Sequence, residues 1–351
     1  MNPYPPAPLL PTTGTPDPGA PGSAAPIALG EATRLAASVL DAVDRAIVGK
    51  RDALTLVLAG VLAGGHVLLE DLPGLGKTLA ARTLAQALGL GFRRAQFTPD
   101  LLPSDLTGSY VFDQTRAEFS FRPGPVFTGL LLADEINRTP PKTQSALLEA
   151  MQEHQVSVEG TTFPLPQPFH VIATANPIEH EGTYPLPEAQ LDRFLLRLSF
   201  GYPTPDEEWE VLSRRIARKH EDQRVDAVLD ADRLLALQAS VEEVYVAESV
   251  GRYAIDLVNA TRRDKAALVG ASPRGSLALL TCSRALALIR GRGFVVPEDV
   301  KDLAPAALGH RITVRPELWL NDVSAESIVA RALNEVPVPD ASDLRPAHDL
   351  R

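Results

Sequence analysis

Asp71-Leu72-Pro73-Gly74-Leu75-Gly76-Lys77-Thr78 is the stretch that decides the fold. It follows an apolar run, His66-Val67-Leu68-Leu69-Glu70, and opens a helical pattern from Leu79 to Leu88. Strand, glycine-rich turn, Gly-Lys-Thr and helix form the layout of a phosphate-binding loop. In such a loop the backbone N–H groups of Pro73 to Leu79 (Pro73 itself excepted) and the positive end of the helix face an anion. Lys77 adds a charge for the β- and γ-phosphates, and the Thr78 hydroxyl is placed to ligate Mg²⁺. The strict pattern has glycine at position 71, where this chain has Asp.

Outward from the loop, the chain has 351 residues, enough for two domains of ordinary size. A hydrophobic content of 45% with 22% charged residues describes a soluble globular protein. The net charge of −10 and pI near 5.3 oppose a nucleic-acid role resting on a broad basic surface. The single cysteine, Cys282, excludes an intrachain disulfide and fits a reducing compartment. It lies among Leu279, Leu280 and Leu286, the setting of a packed core residue. No basic n-region followed by an apolar h-region opens the chain. The apolar stretch Ala53 to Leu69 is interrupted by Thr55, Gly60, Gly64, Gly65 and His66, which suits helix, turn and strand better than a membrane span. These features lead us to expect a cytoplasmic protein with no membrane insertion.

Residues 1–27 are rich in Pro, Gly, Ala, Ser and Thr without period, the composition of a disordered arm. Leu35, Val39, Val43 and Ile47 then mark one face of an amphipathic helix, and Asp52 to Leu62 a second. Phe92 to Phe97 reads as a strand, followed by the Pro-rich segment Thr98 to Ser104. Gly108 to Gly124 holds two alternating runs that read as a β-hairpin, and a smaller hairpin is expected around Glu159-Gly160. Leu130 to Asp134, Phe169 to Ala173 and Phe194 to Phe200 read as further strands, with a helix over Lys142 to Glu153. Strands alternating with helices, several of them uniformly apolar, predict a parallel α/β sheet covered on both faces. After Tyr202-Pro203-Thr204-Pro205, which reads as a hinge, helical patterns succeed one another to Leu333.

Asp134-Glu135 ends an all-apolar strand. A carboxylate at the end of a strand neighbouring the loop's strand can hold Mg²⁺, and an adjacent one can orient and polarise an attacking water; Asp134 takes the first role and Glu135 the second. A solvated strand end is the plain alternative. Asn176, at the end of a third buried strand, can hold the same water, although an Asn-Pro pair also simply makes turns. Arg193 precedes the last strand, where a guanidinium can stabilise transition-state charge or merely pair with Asp192. Arg274 sits at a helix start, where the helix dipole disfavours a cation unless an anion compensates.

Longer strings accompany these residues. They are Gln96-Phe97-Thr98-Pro99-Asp100-Leu101-Leu102-Pro103-Ser104-Asp105, Phe121-Arg122-Pro123-Gly124-Pro125-Val126-Phe127, and Ala133-Asp134-Glu135-Ile136-Asn137-Arg138 with Pro140-Pro141-Lys142-Thr143-Gln144. To them belong the run Glu181-Gly182-Thr183-Tyr184-Pro185-Leu186-Pro187-Glu188-Ala189-Gln190-Leu191-Asp192-Arg193-Phe194 and Gly270-Ala271-Ser272-Pro273-Arg274. From about Glu31 to Ile312 the chain resembles the MoxR-type AAA+ ATPases, of the helix-2-insert branch.

The resemblance implies a P-loop AAA+ core over 28–203, with hairpin inserts at about 108–124 and 156–164, and a helical lid over 204–335; the Pro- and Asp-containing tail over 336–351 lies outside the match and reads as mobile. It implies ATP and Mg²⁺ as cofactors. Lys77 and Thr78 match Walker A, Asp134 and Glu135 Walker B, and Asn176 sensor 1. Arg193 matches an arginine finger acting on a neighbouring subunit, and Arg274 matches sensor 2, reaching its own chain's ATP from the lid. Val48 and Gly49 resemble the segment lining the adenine pocket. Relatives form rings, commonly hexamers, and act on protein clients as chaperone-like remodellers, often with a partner carrying a von Willebrand factor A domain and its metal-ion-dependent adhesion site. An Mg²⁺-dependent ATPase motor is therefore the expectation. A DNA-remodelling motor and a nucleotide-gated scaffold with little hydrolysis stay open beside it.

Overall fold

Five short strands align in parallel; the central ones are buried on both faces, while the edge strand Phe92–Gln96 exposes Arg93 and Arg94. A computed structural model describes residues 24–114, 117–177, 183–219, 223–321 and 323–340. The arm up to residue 23, the tail from 341 and Glu181-Gly182 lie outside the described residues. In chain order the first half comprises α1 (Leu29–Asp44), α2 (Arg51–Leu62), β1 (Val67–Glu70), α3 (Lys77–Ala87), β2 (Phe92–Gln96), α4 (Pro103–Thr107), β3 (Gly108–Asp113), β4 (Glu118–Pro123) and β5 (Leu130–Asp134). It continues with α5 (Pro141–Glu153), β6 (Gln155–Val158), β7 (Thr161–Pro164), β8 (His170–Ala175), α6 (Glu188–Leu191) and β9 (Leu196–Leu198).

The sheet order is β2-β5-β8-β1-β9. Val67 pairs with Ile172 and Leu196, and Leu130 with Phe92 and His170. Successive side chains point to opposite faces, so each strand feeds two cores. Val67, Leu69, Leu130, Leu132, Ile172 and Leu196 pack towards α1, α2 and α3. Leu68, Leu131, Ala133, Val171 and Ala173 pack with Leu147, Leu148 and Met151 of α5. The fold is thus the expected α/β architecture, a parallel sheet between helices.

Both expected hairpins form, β3 with β4 and β6 with β7. Phe121 of the first stacks on Phe163 of the second at a centroid distance of 4.0 Å. Three details depart from the sequence reading. The segment Thr98 to Ser104 leads into a helix, α4, whose start is capped by Asp105 accepting from Leu102 N at 2.9 Å. β9 is shorter than Phe194 to Phe200, because the amides of Phe200 and Gly201 turn away from the ladder to the Asp71 carboxylate. Finally, β5 does not lie next to β1, since β8 intervenes.

The second half holds α7 (Pro205–Arg218), α8 (Ala231–Glu242), α9 (Glu248–Arg263), β10 (Ala267–Val269), α10 (Pro273–Ile289), α11 (Pro297–Leu308), β11 (Thr313–Val314) and α12 (Ala325–Glu335). β10 and β11 form a small antiparallel pair within this helical lid. Its hydrophobic core is continuous with the first half: Val39, Val43, Leu54 and Leu58 share one cluster with Leu279, Leu286, Leu303 and Leu308. Cys282 is fully buried there, and burial pushes its thiol up to about 12, which makes it the inert core residue expected.

Candidate nucleotide site

The loop after β1 needs two left-handed residues, and glycine supplies them: Gly74 and Gly76 have φ of +83° and +81°. Gly76 is the N-cap of α3, so the first amides of that helix, at Lys77 to Leu79, carry no earlier helical partner. Lys77 folds back and donates to the Asp71 carbonyl. Burial pulls its ammonium below the ordinary lysine range, opposed by Asp71, Asp134, Glu135 and Glu70. These carboxylates keep a positive group poised at the loop.

The Thr78 hydroxyl donates to Asp134 Oδ2 at 3.4 Å. The intervening strand β8 makes this reach possible through Thr174, whose hydroxyl donates to Asp134 Oδ1 at 2.5 Å and accepts the Glu135 N–H at 2.8 Å. Glu135 leaves β5 in a left-handed conformation, φ 59° and ψ 49°, which turns its side chain off the strand line. There it accepts from Gln96 Nε2 at 2.5 Å and lies 3.4 Å from Arg138 Nε. Asn176 is buried just beyond β8, and its carbonyl accepts from Asn137 Nδ2 at 3.1 Å. Lys77, Thr78, Asp134, Glu135 and Asn176 therefore converge at the C-terminal edge of the sheet. Such an edge is where parallel α/β sheets bind ligands. A hydroxyl and a carboxylate so close together are hard oxygen donors, a set that suits Mg²⁺.

Val48 and Gly49 lie beside the same edge. Gly49 has φ +69°, a left-handed conformation that favours glycine, and a Cβ there would have to displace the Glu207 carboxylate of α7. Neighbouring Lys50 donates to the Tyr202 carbonyl at 3.2 Å. The segment expected to line an adenine pocket is thus tied to the hinge.

Arg193 and Arg274 stand elsewhere. Arg193 precedes β9, hence lies at the N-terminal edge of the sheet, and shares a cavity of about 310 Å³ with His66, Asp192, Arg274 and Leu277. Ser272 donates to Asp192 Oδ2 at 3.2 Å, and Arg274 Nε lies 3.9 Å from the same oxygen. The anion that the helix start requires is Asp192. His66 precedes β1 and the loop follows it, so the strand separates them by roughly 13 Å at about 3.3 Å per residue. The expectation that Arg274 closes over its own chain's loop is therefore corrected: it stands with Arg193 at the opposite edge.

Several groups at these sites carried no assigned role in the sequence. Arg94, on β2, donates to Asp134 Oδ2 through Nε at 2.8 Å and to Gln96 Oε1 at 2.5 Å. Gln96 pairs with Asp134 in register, so the alternation of β2 and its place beside β5 put both side chains on the site. Arg311, its side chain only 2% exposed, donates to the Asp192 carboxylate at 2.6 Å and to the Phe194 carbonyl at 2.8 Å. His310 lies 3.1 Å from that same carbonyl. The lid thereby grips the segment that carries Arg193. Nothing in the local sequence of His310-Arg311 signals a partner more than a hundred residues away.

Comparison with known proteins agrees with this geometry. The family described as "ATPase family associated with various cellular activities (AAA)" matches residues 66–196, and the AAA lid domain matches 259–332. The chain is 48% identical to the YeaC protein of Bacillus subtilis over 87% of this chain and 95% of that one. It is 44% identical to the chaperone MoxR1 of Mycobacterium tuberculosis, over 86% and 81% respectively. It is 30% identical to the MoxR protein of Methylorubrum extorquens, over 84% of this chain and 92% of that one. A solved structure from Cytophaga hutchinsonii superposes with a TM-score of 0.83 at 40% identity, covering 89% of this chain and 97% of that one. The chain belongs to the MoxR family of AAA+ ATPases.

Proposed function

We propose that this protein hydrolyses ATP with Mg²⁺ in a head-to-tail ring and uses the cycle to remodel a protein client, in the manner of a chaperone. The observation that carries this reading is the convergence of Lys77, Thr78, Asp134, Glu135 and Asn176 at one sheet edge. The amides of Gly74 to Leu79 and the Lys77 ammonium bind the phosphates. Thr78 and Asp134 would hold Mg²⁺, which when bound neutralises phosphate charge. Glu135 orients the attacking water and accepts its proton, and Asn176 holds that water in line.

Arg193 and Arg274 serve a neighbour. Both stand at the far edge from their own loop, so they stabilise charge only on a nucleotide carried by the next subunit. This trans arrangement supports a closed ring, and the family resemblance points to a hexamer. Val111, Phe112 and Phe119, exposed near the tip of the β3–β4 hairpin, offer an apolar surface to a client. A von Willebrand factor A domain protein as working partner rests on the family resemblance. So does a role in metal or cofactor insertion or in complex assembly. Phosphate release from ATP and Mg²⁺ tests the reading, comparing wild type, Glu135→Gln and Arg193→Ala. We expect each substitution to lower turnover by about 10²-fold or more; wild-type turnover in both would overturn it.

A further inference from the structure

The backbone around Arg193 is held by one guanidinium from the lid. Arg311 ends the 3₁₀ turn Gly309–Arg311 that follows α11, and its side chain is buried. A buried charge is tolerated only when it is paired and its donors are satisfied. Here Nε donates to Asp192 Oδ1 at 2.6 Å, and Nη2 donates to the Phe194 and Asp192 carbonyls at 2.8 and 3.3 Å. Nη1 donates to the Leu195 carbonyl at 3.2 Å and to the Ala307 carbonyl. All but the last of these acceptors belong to residues 192–195, on both sides of Arg193. The amides of the segment are fixed as well. Arg193 N–H donates to the Gln190 carbonyl at 3.2 Å, Phe194 N–H to that of Leu191 at 3.0 Å, and Leu195 N–H to that of His66 at 2.9 Å.

We propose that Arg311 is a positioning residue for the two arginines that serve the neighbouring subunit. It fixes the backbone that aims Arg193, and through Asp192 it ties that backbone to the helix start that carries Arg274. The proposal rests on the trans reading above and adds what sets the geometry of the pair. Asp192 makes the join with its two oxygens. Oδ1 takes Arg311, while Oδ2 accepts from Ser272 at 3.2 Å and lies 3.9 Å from Arg274 Nε. Ser272 also caps α10, accepting from Arg274 N at 3.2 Å. One carboxylate therefore links the core segment to two separate elements of the lid.

Aim matters because carboxylates surround Arg193. Glu149 and Glu153 of α5 line a hollow with it on one side, and Asp192 and Arg274 line the cavity on the other. The direction of the backbone decides which way its side chain reaches. β9 is an edge strand with a neighbour on one side only, so the sheet does not set that direction by itself. A charge acting on a transition state loses much of its effect when it is misplaced by about 1 Å. Lysine could keep the ion pair with Asp192, but its single nitrogen cannot span the carbonyls that the planar guanidinium bridges.

The substitution Arg311→Lys, in the full chain with ATP and Mg²⁺, tests this. The kcat for phosphate release should fall by about tenfold or more, while the affinity of the chain's own loop for a fluorescent nucleotide stays within about twofold of wild type. In an equimolar mixture with Glu135→Gln, turnover should recover towards about one interface in four, because the Glu135→Gln chain presents well-placed arginines. Mixed with Arg193→Ala it should not recover, since both chains then present a faulty arginine. A merely structural role would lower nucleotide affinity together with kcat and would recover in neither mixture. That pattern, wild-type turnover in Arg311→Lys, or recovery with Arg193→Ala overturns the proposal. If circular dichroism shows that the buried lysine unfolds the chain, Asp192→Asn takes its place and the same outcomes decide. Amide exchange at Phe194 and Leu195 reads the clamp without turnover and should quicken by about tenfold in the variant. Quickened exchange beside an inert wild type sinks the ATPase reading alone. An active wild type whose exchange and turnover both ignore the substitution sinks the clamp alone.

Discussion

The carboxylate of Asp71 accepts the backbone N–H of Phe200 at 2.6 Å, binding the first residue of the phosphate loop to the exit of the last sheet strand. The same oxygen accepts from Gly201 at 2.9 Å, and the other accepts from Leu72 at 2.9 Å. Asp71 is 7% exposed, so three amides satisfy a nearly buried charge. That is the physical reason this position holds Asp where the strict loop pattern has glycine. The loop and the hinge are one hydrogen-bonded unit.

Replacing Asp71 by glycine would restore the strict pattern and leave two amides of the hinge without their partner. Hydrogen bonds to charged groups contribute about 1.5–3 kcal/mol each, and a buried donor left unpaired costs about 1–3 kcal/mol. Asp71→Gly should therefore destabilise the protein by about 3 kcal/mol, read by urea denaturation. Nucleotide affinity should fall with it, since the loop loses its anchor. Unchanged stability would mean that the hinge amides find water equally well.

The division of the site between two edges of the sheet predicts complementation. Glu135→Gln keeps its arginines and Arg193→Ala keeps its water-positioning carboxylate. Each alone should be nearly inactive. In an equimolar mixture, about one interface in four joins an intact Glu135 to an intact Arg193 under random head-to-tail assembly. Turnover should recover towards that fraction in a phosphate-release assay. Arg274→Ala should complement Glu135→Gln in the same way and should not complement Arg193→Ala. Recovery in that last pairing would assign the two arginines to different nucleotides.

Arg94 sits on the proposed metal ligand. Its guanidinium contacts Asp134 Oδ2 at 2.7 Å while remaining 49% exposed, so solvent screens the pair to about 1 kcal/mol or less. Removing it as Arg94→Ala frees carboxylate charge for Mg²⁺. The Mg²⁺ concentration for half-maximal nucleotide binding should drop by up to about fivefold, measured by titration with a fluorescent nucleotide. A rise would mean instead that Arg94 holds Asp134 in its binding orientation.

Legibility followed the range of the interaction. The loop, the strand ending in Asp134-Glu135 and the left-handed turns are local, so apolar runs and glycines announced them. Gln96 and Arg94 were half-legible: their strand was visible, but their pairing with Asp134 required the sheet order, which local pattern does not contain. Asp71 to Phe200 and Arg311 to Asp192 span more than a hundred residues. A carboxylate that caps distant amides leaves the same local trace as any surface Asp. The placement of Arg274 failed for a related reason. The motif identifies the residue, but which edge it reaches depends on how the lid packs on α1 and α2, through side chains such as Leu54 and Leu58 that any buried helix would carry.

The base of the sheet carries the protein's acid sensitivity. His66 and His170 are buried, at 6% and 2% exposure. His66 accepts from Val171 N at 3.0 Å through Nδ1, and its Nε2 faces the Met151 carbonyl at 3.1 Å. His170 Nδ1 faces the Gly65 carbonyl at 3.0 Å, while Nε2 lies 3.0 Å from Gln238 Nε2. Each ring thus donates from one nitrogen and accepts at the other, the pattern of neutral imidazole. Burial, together with mutual repulsion, holds His66 down at about 3, and burial holds His170 at about 4. The folded values lie below the unfolded value of about 6.5, so the stabilising contribution is complete above that pH and declines as pH falls towards the folded values. Between pH 7.5 and 5 each ring should cost about 2 kcal/mol. Urea denaturation at the two pH values should show this loss, and His170→Gln should remove about a third of the pH-dependent part, because burial also holds His310 well below the ordinary histidine range. If His170→Gln leaves the slope unchanged, protons enter the unfolded chain elsewhere, and the buried pair does not set the acid limit.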